Sequence, residues 1–220
     1  MFAKDLISTK IIPLKLSDTG AEALSIMNDF YIKQLPVVEN KKLVGIISEG
    51  DLLEYGFDNE INAINFKSKP LVFIKTDDHI YEAMRILAEY DVNIIPVINS
   101  KNNYVGLITQ EDLISYFAKT GSFNEPGSIV VLEVNKRDYS LSNISHIIES
   151  EDAAVLSSYI TTDLETHKIN VTLKINRQNT QDIIASLKRH NYEVKAFFDE
   201  SEYLDILKER YDALINFLNV

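Results

Sequence analysis

The stretch GIISEGDLL at residues 45–53 returns as GLITQEDLI at 106–114. It does not return alone. QLPVVE at 34–39 comes back as IIPVIN at 94–99, and AEALSIM at 21–27 lines up with YEAMRIL at 81–87. The offset is 60 residues in the two earlier blocks and 61 in the last, because the polar turn NSKNNY carries one residue more. A single insertion in a surface turn costs little. Three blocks in one order and at one spacing make the first half of the chain a duplicated unit of about sixty residues. Each copy is too small to bury its own sheet well, so the two are expected to pack face to face.

The unit has a local logic. In each copy a cap candidate (Asp18 or Thr19, then Asp77 or Asp78) precedes a run with helical periodicity. Ala23, Leu24, Met27 and Phe30 share one face in the first copy, as do Ala83, Met84, Leu87 and Tyr90 in the second. A short strand containing a proline follows, at 35–38 or 95–98; proline cannot donate to a sheet ladder and suits a strand's start or an edge. A polar turn leads to a second strand, at 43–47 or 104–108, which runs directly into another helix. The order is strand, helix, strand, strand, helix. The copies span 1–58 and 59–118.

Residues 119–127, KTGSFNEPG, read as a linker. Beyond it the pattern changes to strand (128–134), helix (141–150), strands (153–161 and 168–175), helix (179–190) and a last strand (192–198). That is βαββαβ, the ferredoxin-like order, over 128–199. From 200 to 220, Leu204, Leu207, Tyr211, Leu214 and Leu218 form a heptad-like stripe on an expected amphipathic helix. Its apolar side has two candidate partners, its own domain or another subunit. The predicted class is therefore α+β: two mixed α/β repeats as a pseudo-twofold pair, then a ferredoxin-like domain with a C-terminal helix.

Composition narrows the function classes. An apolar content of 45% supports real cores. A formal charge of −11 repels nucleic acid and anionic membrane over most of the surface, so neither is an expected partner. The chain has no Cys, which excludes disulfides and thiolate metal sites and favours an intracellular, cytoplasmic address. MFAKDLISTK lacks the long apolar core of a leader, and no run of eighteen apolar residues proposes a membrane span. The four His (79, 146, 167, 190) show no metal-ligand spacing, and no nucleophile-elbow, phosphate-loop or dinucleotide motif occurs. No enzymatic activity, metal or required cofactor is expected.

The motif with chemistry is the strand end that enters a helix. Ser48-x-x-Asp51 and Thr109-x-x-Asp112 each read as a capping box, with the hydroxyl at the N-cap and the acid three residues on. The same parts suit a nucleoside. A carboxylate accepts two hydrogen bonds side by side, as vicinal ribose hydroxyls offer them, and the nearby hydroxyl adds a contact. Apolar residues of a neighbouring strand can cover a base.

IKQLPVV with GIISEGDLL, and VNIIPVI with GLITQEDLI, resemble a tandem pair of CBS domains (a Bateman module), and MFAKDLISTKIIPL resembles the lead-in of the first. The resemblance covers residues 1 to about 118. It implies regulatory, allosteric binding of an adenosine-containing ligand (AMP, ADP, ATP or S-adenosylmethionine) in the clefts of the pair. Ser48, Asp51, Thr109 and Asp112 would hold the ribose. Ile12 and Pro13 with Lys33, Gln34 and Leu35 would cover one base; Val72 and Phe73 with Asn93, Ile94 and Ile95 would cover the other. Family members that bind phosphorylated ligands often carry a basic residue shortly after the motif Asp, where this chain has Glu54 and Ser115. The segment VVLEVNKRDYSLSNISHIIESEDAAVLSSYI resembles an ACT domain, which implies a homodimer or a second effector site. Its first loop, Arg137 to Ser140, lacks the glycine usual in amino-acid-binding members. The order of modules is similar to acetoin-utilisation accessory proteins. The competing expectation is a structural protein-interaction module without nucleotide, in which the motif residues only cap helices.

Overall fold

The computed structural model describes residues 1–66 and 70–199. The expected helix at 200–220 lies outside them. The chain forms two compact units, Met1–Phe117 and one that begins at Ala118.

In the first unit each copy builds the expected order. The first contains α1 (Gly20–Asp29), β1 (Gln34–Glu39), β2 (Lys42–Ser48) and α2 (Glu49–Tyr55). The second contains β3 (Ile74–Lys75), α3 (Ile80–Tyr90), β4 (Ile94–Ile98), β5 (Tyr104–Thr109) and α4 (Gln110–Thr120). β1 and β2 form an antiparallel hairpin whose two turn residues, Asn40 and Lys41, both have positive φ (50° and 65°), the geometry that matches strand twist. β4 and β5 pair in the same way, and the extra residue is absorbed in their turn, where Asn99 Oδ1 accepts from the amides of Lys101 and Asn103. The lead-in strand pairs in parallel with the proline strand in both copies: Leu14 with Val37, Ile74 with Val97. The contact falls beyond Pro36 and Pro96, so the missing proline donor breaks no ladder bond there.

Thr19 caps α1 in a full capping box with Glu22. In the second copy the cap is His79, not Asp77 or Asp78: its Nδ1 accepts from the Tyr81 amide at 3.2 Å, while Asp78 Oδ2 accepts from the Lys75 amide one turn earlier. With the helix starting at Ile80, its buried side is Ile80, Ala83 and Ile86. Met84 and Tyr90, expected inward, face solvent. The two cores interlock. Ile94 and Leu107 of the second copy complete the core around Leu14, Met27, Leu35 and Ile47 of the first. Ala3, Leu6 and Ile7 of the N-terminal lead-in pack into the core of the second.

The unit that follows contains β6 (Ser128–Asn135), α5 (Leu141–Glu149), β7 (Val155–Thr162), β8 (Lys168–Ile175), α6 (Gln181–Arg189) and β9 (Glu193–Phe198). The sheet order is β7-β8-β6-β9 with every pair antiparallel, the ferredoxin-like arrangement. Val130, Leu132 and Val134 alternate inward along β6, as do Ile169, Val171, Leu173 and Ile175 along β8. They meet Ile144, Ile147 and Ile148 of α5 with Ile183 and Leu187 of α6.

Candidate functional site

Both hydroxyl–acid pairs close as capping boxes. Ser48 donates through its amide and its Oγ to Asp51 Oδ2, each at 2.8 Å, and Ser48 Oγ accepts from the Asp51 amide at 3.3 Å. Thr109 donates to Asp112 Oδ2 from its amide at 3.0 Å and from Oγ1 at 2.8 Å, and the Asp112 amide returns a bond to Oγ1 at 3.0 Å. The strand-to-helix turn is thus fixed by its own side chains. Asp51 is buried at 8% exposure, whereas Asp112 is only half-buried.

Thr109 and Asp112 open onto a cavity of about 440 Å³ within the first unit. Asn93, from the turn before β4, lines it as well. The opposite wall comes from the first copy: Lys10 and Ile11 of the lead-in and Tyr31 at the end of α1. The path of the lead-in explains this mixture. Ala3 donates to the Asp78 carbonyl and Ser8 pairs with Leu107, so residues 1–8 are bonded to the second copy; Leu14 then pairs with Val37 of its own. The chain crosses between copies at the cavity. Gly106 permits the approach: its φ is +145°, and a Cβ there would lie 2.4 Å from the Ile7 side chain and 2.7 Å from the Ser8 carbonyl oxygen.

Of the residues expected to cover a base, Asn93 reaches this cavity. The other expected residues lie outside this cavity. Leu35, Ile94 and Ile95 are fully buried core residues, their side chains committed to packing. Val72 packs against the second core and Phe73 is half-buried. The lead-in at Thr109 and Asp112 is Lys10 and Ile11 rather than Val72 and Phe73. Ile12 is 69% exposed and Pro13 half-buried beside it. Lys33 is exposed, and its carbonyl accepts from the Glu49 amide at the start of α2. Gln34 Oε1 accepts from the Asn93 amide at 3.3 Å, tying the copies together. Ser115, shortly after the motif Asp, also lines the cavity, and the cation on it is Lys10.

Sequence reasoning missed Tyr31. It occupies the position after α1 where the chain reverses: the Ile32 amide bonds to the Met27 carbonyl at 2.9 Å, and Tyr31 takes φ +54°. That left-handed position usually falls to Gly or Asn, and a bulky side chain there costs about 1–2 kcal/mol. Tyr31 is 94% exposed, so burial in the protein does not offset that cost.

The second unit holds a cavity of about 560 Å³ at the end of β6, lined by Asp138, Asn143, His146, Lys168 and His190 among others. The fold brings together His146 and His190, which the sequence keeps 44 residues apart. Lys168 Nζ lies 2.6 Å from Glu133 Oε1 on the same wall. That hydrogen bond holds the Glu133 carboxyl below its ordinary range and raises the Lys168 ammonium. Among the described residues no group of three or more His, Asp or Glu could hold a metal ion, and no helix is long and apolar enough to cross a membrane.

An uncharacterised protein of Methanocaldococcus jannaschii is 26% identical over half of this chain and 42% of its own length. The inosine-5'-monophosphate dehydrogenase of the same organism is 30% identical over 51% of this chain and 23% of its own length. The chain thus spans less than half the length of these curated relatives. Among solved structures, a CBS domain pair/ACT domain protein of Thermotoga maritima superposes with a TM-score of 0.48 at 20% identity, covering 54% of this chain and 98% of the other. The family model for the CBS domain matches twice, at residues 3–58 and 63–119, which is just over half of the chain. With its duplicated, interlocked strand-and-helix units, the chain belongs to the CBS domain family and carries the domain as a tandem pair.

Proposed function

We propose that the chain is a non-enzymatic regulatory protein whose CBS pair binds an adenosine-containing ligand (AMP, ADP, ATP or S-adenosylmethionine) in its clefts, foremost in the one at Thr109 and Asp112. The observation that carries this reading is the meeting of Thr109, Asp112 and Lys10 on one cavity of about 440 Å³. The hydroxyl and carboxylate suit a ribose, and the lysine supplies the cation that a phosphate needs. Glu111 and Asp112 on the same cavity weigh against a heavily charged ligand and favour one phosphate over three. Binding acts on the partner by differential affinity for two arrangements of the pair. The C-terminal unit, read as ACT-like, serves as the dimerisation module or takes a second effector in its 560 Å³ cavity. Calorimetric titration of the full chain with AMP, ATP and S-adenosylmethionine tests the first part; a folded protein that binds none of them would lose the ligand reading. Light scattering of the full chain tests the second, and a monomer would remove the dimerisation role.

A second reading has its own support. Both acids cap their helices through Oδ2, which is what a ligand-free interaction module requires. It predicts that Asp112→Ala lowers stability by about 0.5–2 kcal/mol with no ligand affinity to lose.

A further inference from the structure

The sheet of the second unit has two unlike sides. α5 and α6 close the side to which Val130, Leu132 and Val134 point. Alternation along the strands sends the residues between them to the opposite side. The ladder sets these in rows: Ile129 lies between Lys174 and Phe198, and Val131 between Thr172 and Ala196, with Tyr159 beyond Thr172. Ile129 and Val131 are half-buried, while Phe198 and Tyr159 are 62% and 56% exposed. Apolar side chains thus recur on this open side from β9 to β7, and a contiguous patch of that kind marks a docking surface.

The chain brings an occupant to the edge of the patch. Thr180 Oγ1, fully buried, donates to Asp199 Oδ1 at 2.6 Å, which fixes where the chain leaves β9, next to Phe198 and Ile129. Residues 200–220 follow, outside the described residues, and their sequence carries Leu204, Leu207, Tyr211, Leu214 and Leu218 at helical spacing. An α-helix over 202–218 is about 25 Å long, and the four strands span about 14 Å between the outermost axes, so such a helix reaches from β9 to Tyr159 on β7. Charge agrees with that placement: Lys174 stands in the row beside the exit, and the segment opens with Glu200 and Glu202. The outer sides of α5 and α6 present Asn143, Glu149, Asp182 and Lys188 and offer the stripe no comparable face.

We propose that residues 200–220 lie as an amphipathic helix across the open side of their own unit's sheet, with the leucine stripe on Ile129, Val131, Phe198 and Tyr159. A second copy is then kept from stacking on this side, and a dimer of the unit forms at another surface.

The chain has no Cys, so a single introduced thiol reports on one place. Thr172→Cys sets it in the middle of the open side; Ser158→Cys sets it on exposed β7, facing the other way. The rate of labelling by a maleimide is measured in the full-length protein. Adding Leu207→Asp and Leu214→Asp to Thr172→Cys should speed labelling by about tenfold or more, because the thiol otherwise waits for a local opening. Ser158→Cys should label fast with or without that pair. With the segment intact, protection of Thr172→Cys should be the same at high and low protein concentration, as cover within one chain must be. If the Asp pair abolishes a cooperative melt, Leu207→Ala with Leu214→Ala takes its place and should speed labelling about threefold. A Thr172→Cys thiol that labels equally fast with and without the substitutions would mean that the segment does not cover this side. Protection that fades on dilution would give the side to a second copy. Either result overturns the proposal.

Discussion

Copy one and copy two of the CBS unit end their second strand in the same device, and the surroundings of that device differ. Asp51 is buried, while Asp112 is half-buried on an open cavity. Around Asp112 stand Lys10, Tyr31, Asn93 and Ser115. At the positions related by the repeat offset the sequence has Pro70, Asp91, Lys33 and Glu54. Two neutral side chains near the second-copy acid thus correspond to acids, and its lead-in lysine to a proline. The hydroxyl–carboxylate pair caps a helix in both copies; at Asp112 it also lines a cavity shared with Lys10 and Tyr31 of the first copy. Under the proposed reading, Lys10 is the cation that an anionic nucleotide would meet beside Asp112.

The largest effect should come from the acids. Asp112→Ala removes a charged acceptor from the proposed ribose subsite and should weaken AMP binding about ten- to a hundred-fold by calorimetry. Asp51→Ala should act mainly on folding. It leaves the Ser48 amide unpaired in a part-buried turn and should lower stability by about 1–3 kcal/mol in denaturant titration, with a smaller change in affinity. If Asp51→Ala lost as much affinity as Asp112→Ala, the contrast between the copies would be wrong, and both clefts would have to be treated as ligand sites.

The lysine gives a smaller, salt-dependent effect. Lys10→Gln should weaken AMP about three- to tenfold at low salt and leave adenosine, which has no phosphate, nearly unchanged. Raising ionic strength should shrink the AMP deficit, because an exposed ammonium is screened. An equal loss for AMP and adenosine would move Lys10 from the phosphate to the wall of the base pocket.

Much of this was legible in the sequence because it is local or repeated. The capping boxes at Ser48 and Thr109, the Thr19 cap and the alternation of β6 and β8 need only neighbours a few residues away to be understood. The cleft was half legible. Thr109, Asp112 and Asn93 could be named from the motif, yet their partners could not, because pairing each lead-in with its own copy is the natural assumption. The chain crosses instead, and what makes it cross is long-range: Ser8 pairing with Leu107, and Gly106 giving way to Ile7. Leu35, Ile94 and Ile95 look like pocket residues beside the motif strand, but the interlocked cores claim them. Tyr31 was invisible for a different reason. Its exposed ring resembles an ordinary surface aromatic until its positive φ and its place on the cavity are known. His146 and His190 likewise line one cavity only once α5 and α6 lie side by side on the sheet.

The smallest effect is the one that separates fold from function most cleanly. Tyr31 and Asp91 hold the same left-handed backbone at the ends of equivalent helices, at φ +54° and +50°. Glycine relieves the conformational penalty at either position, at some cost in unfolded-chain entropy. Tyrosine pays more than aspartate to be there, so Tyr31→Gly should raise the stability of the ligand-free protein by about 0.5–1 kcal/mol, and Asp91→Gly should change it by less. Thermal melts of the two variants without nucleotide measure that difference. Melts with saturating AMP should invert the order, since tighter binding stabilises the folded state more and Tyr31→Gly removes a ring that lines the cavity. A residue that weakens the empty protein and strengthens the loaded one is held by its ligand. Equal gains at both positions, with and without AMP, would make Tyr31 an ordinary helix terminus and return the cleft to Asp112 and Lys10 alone.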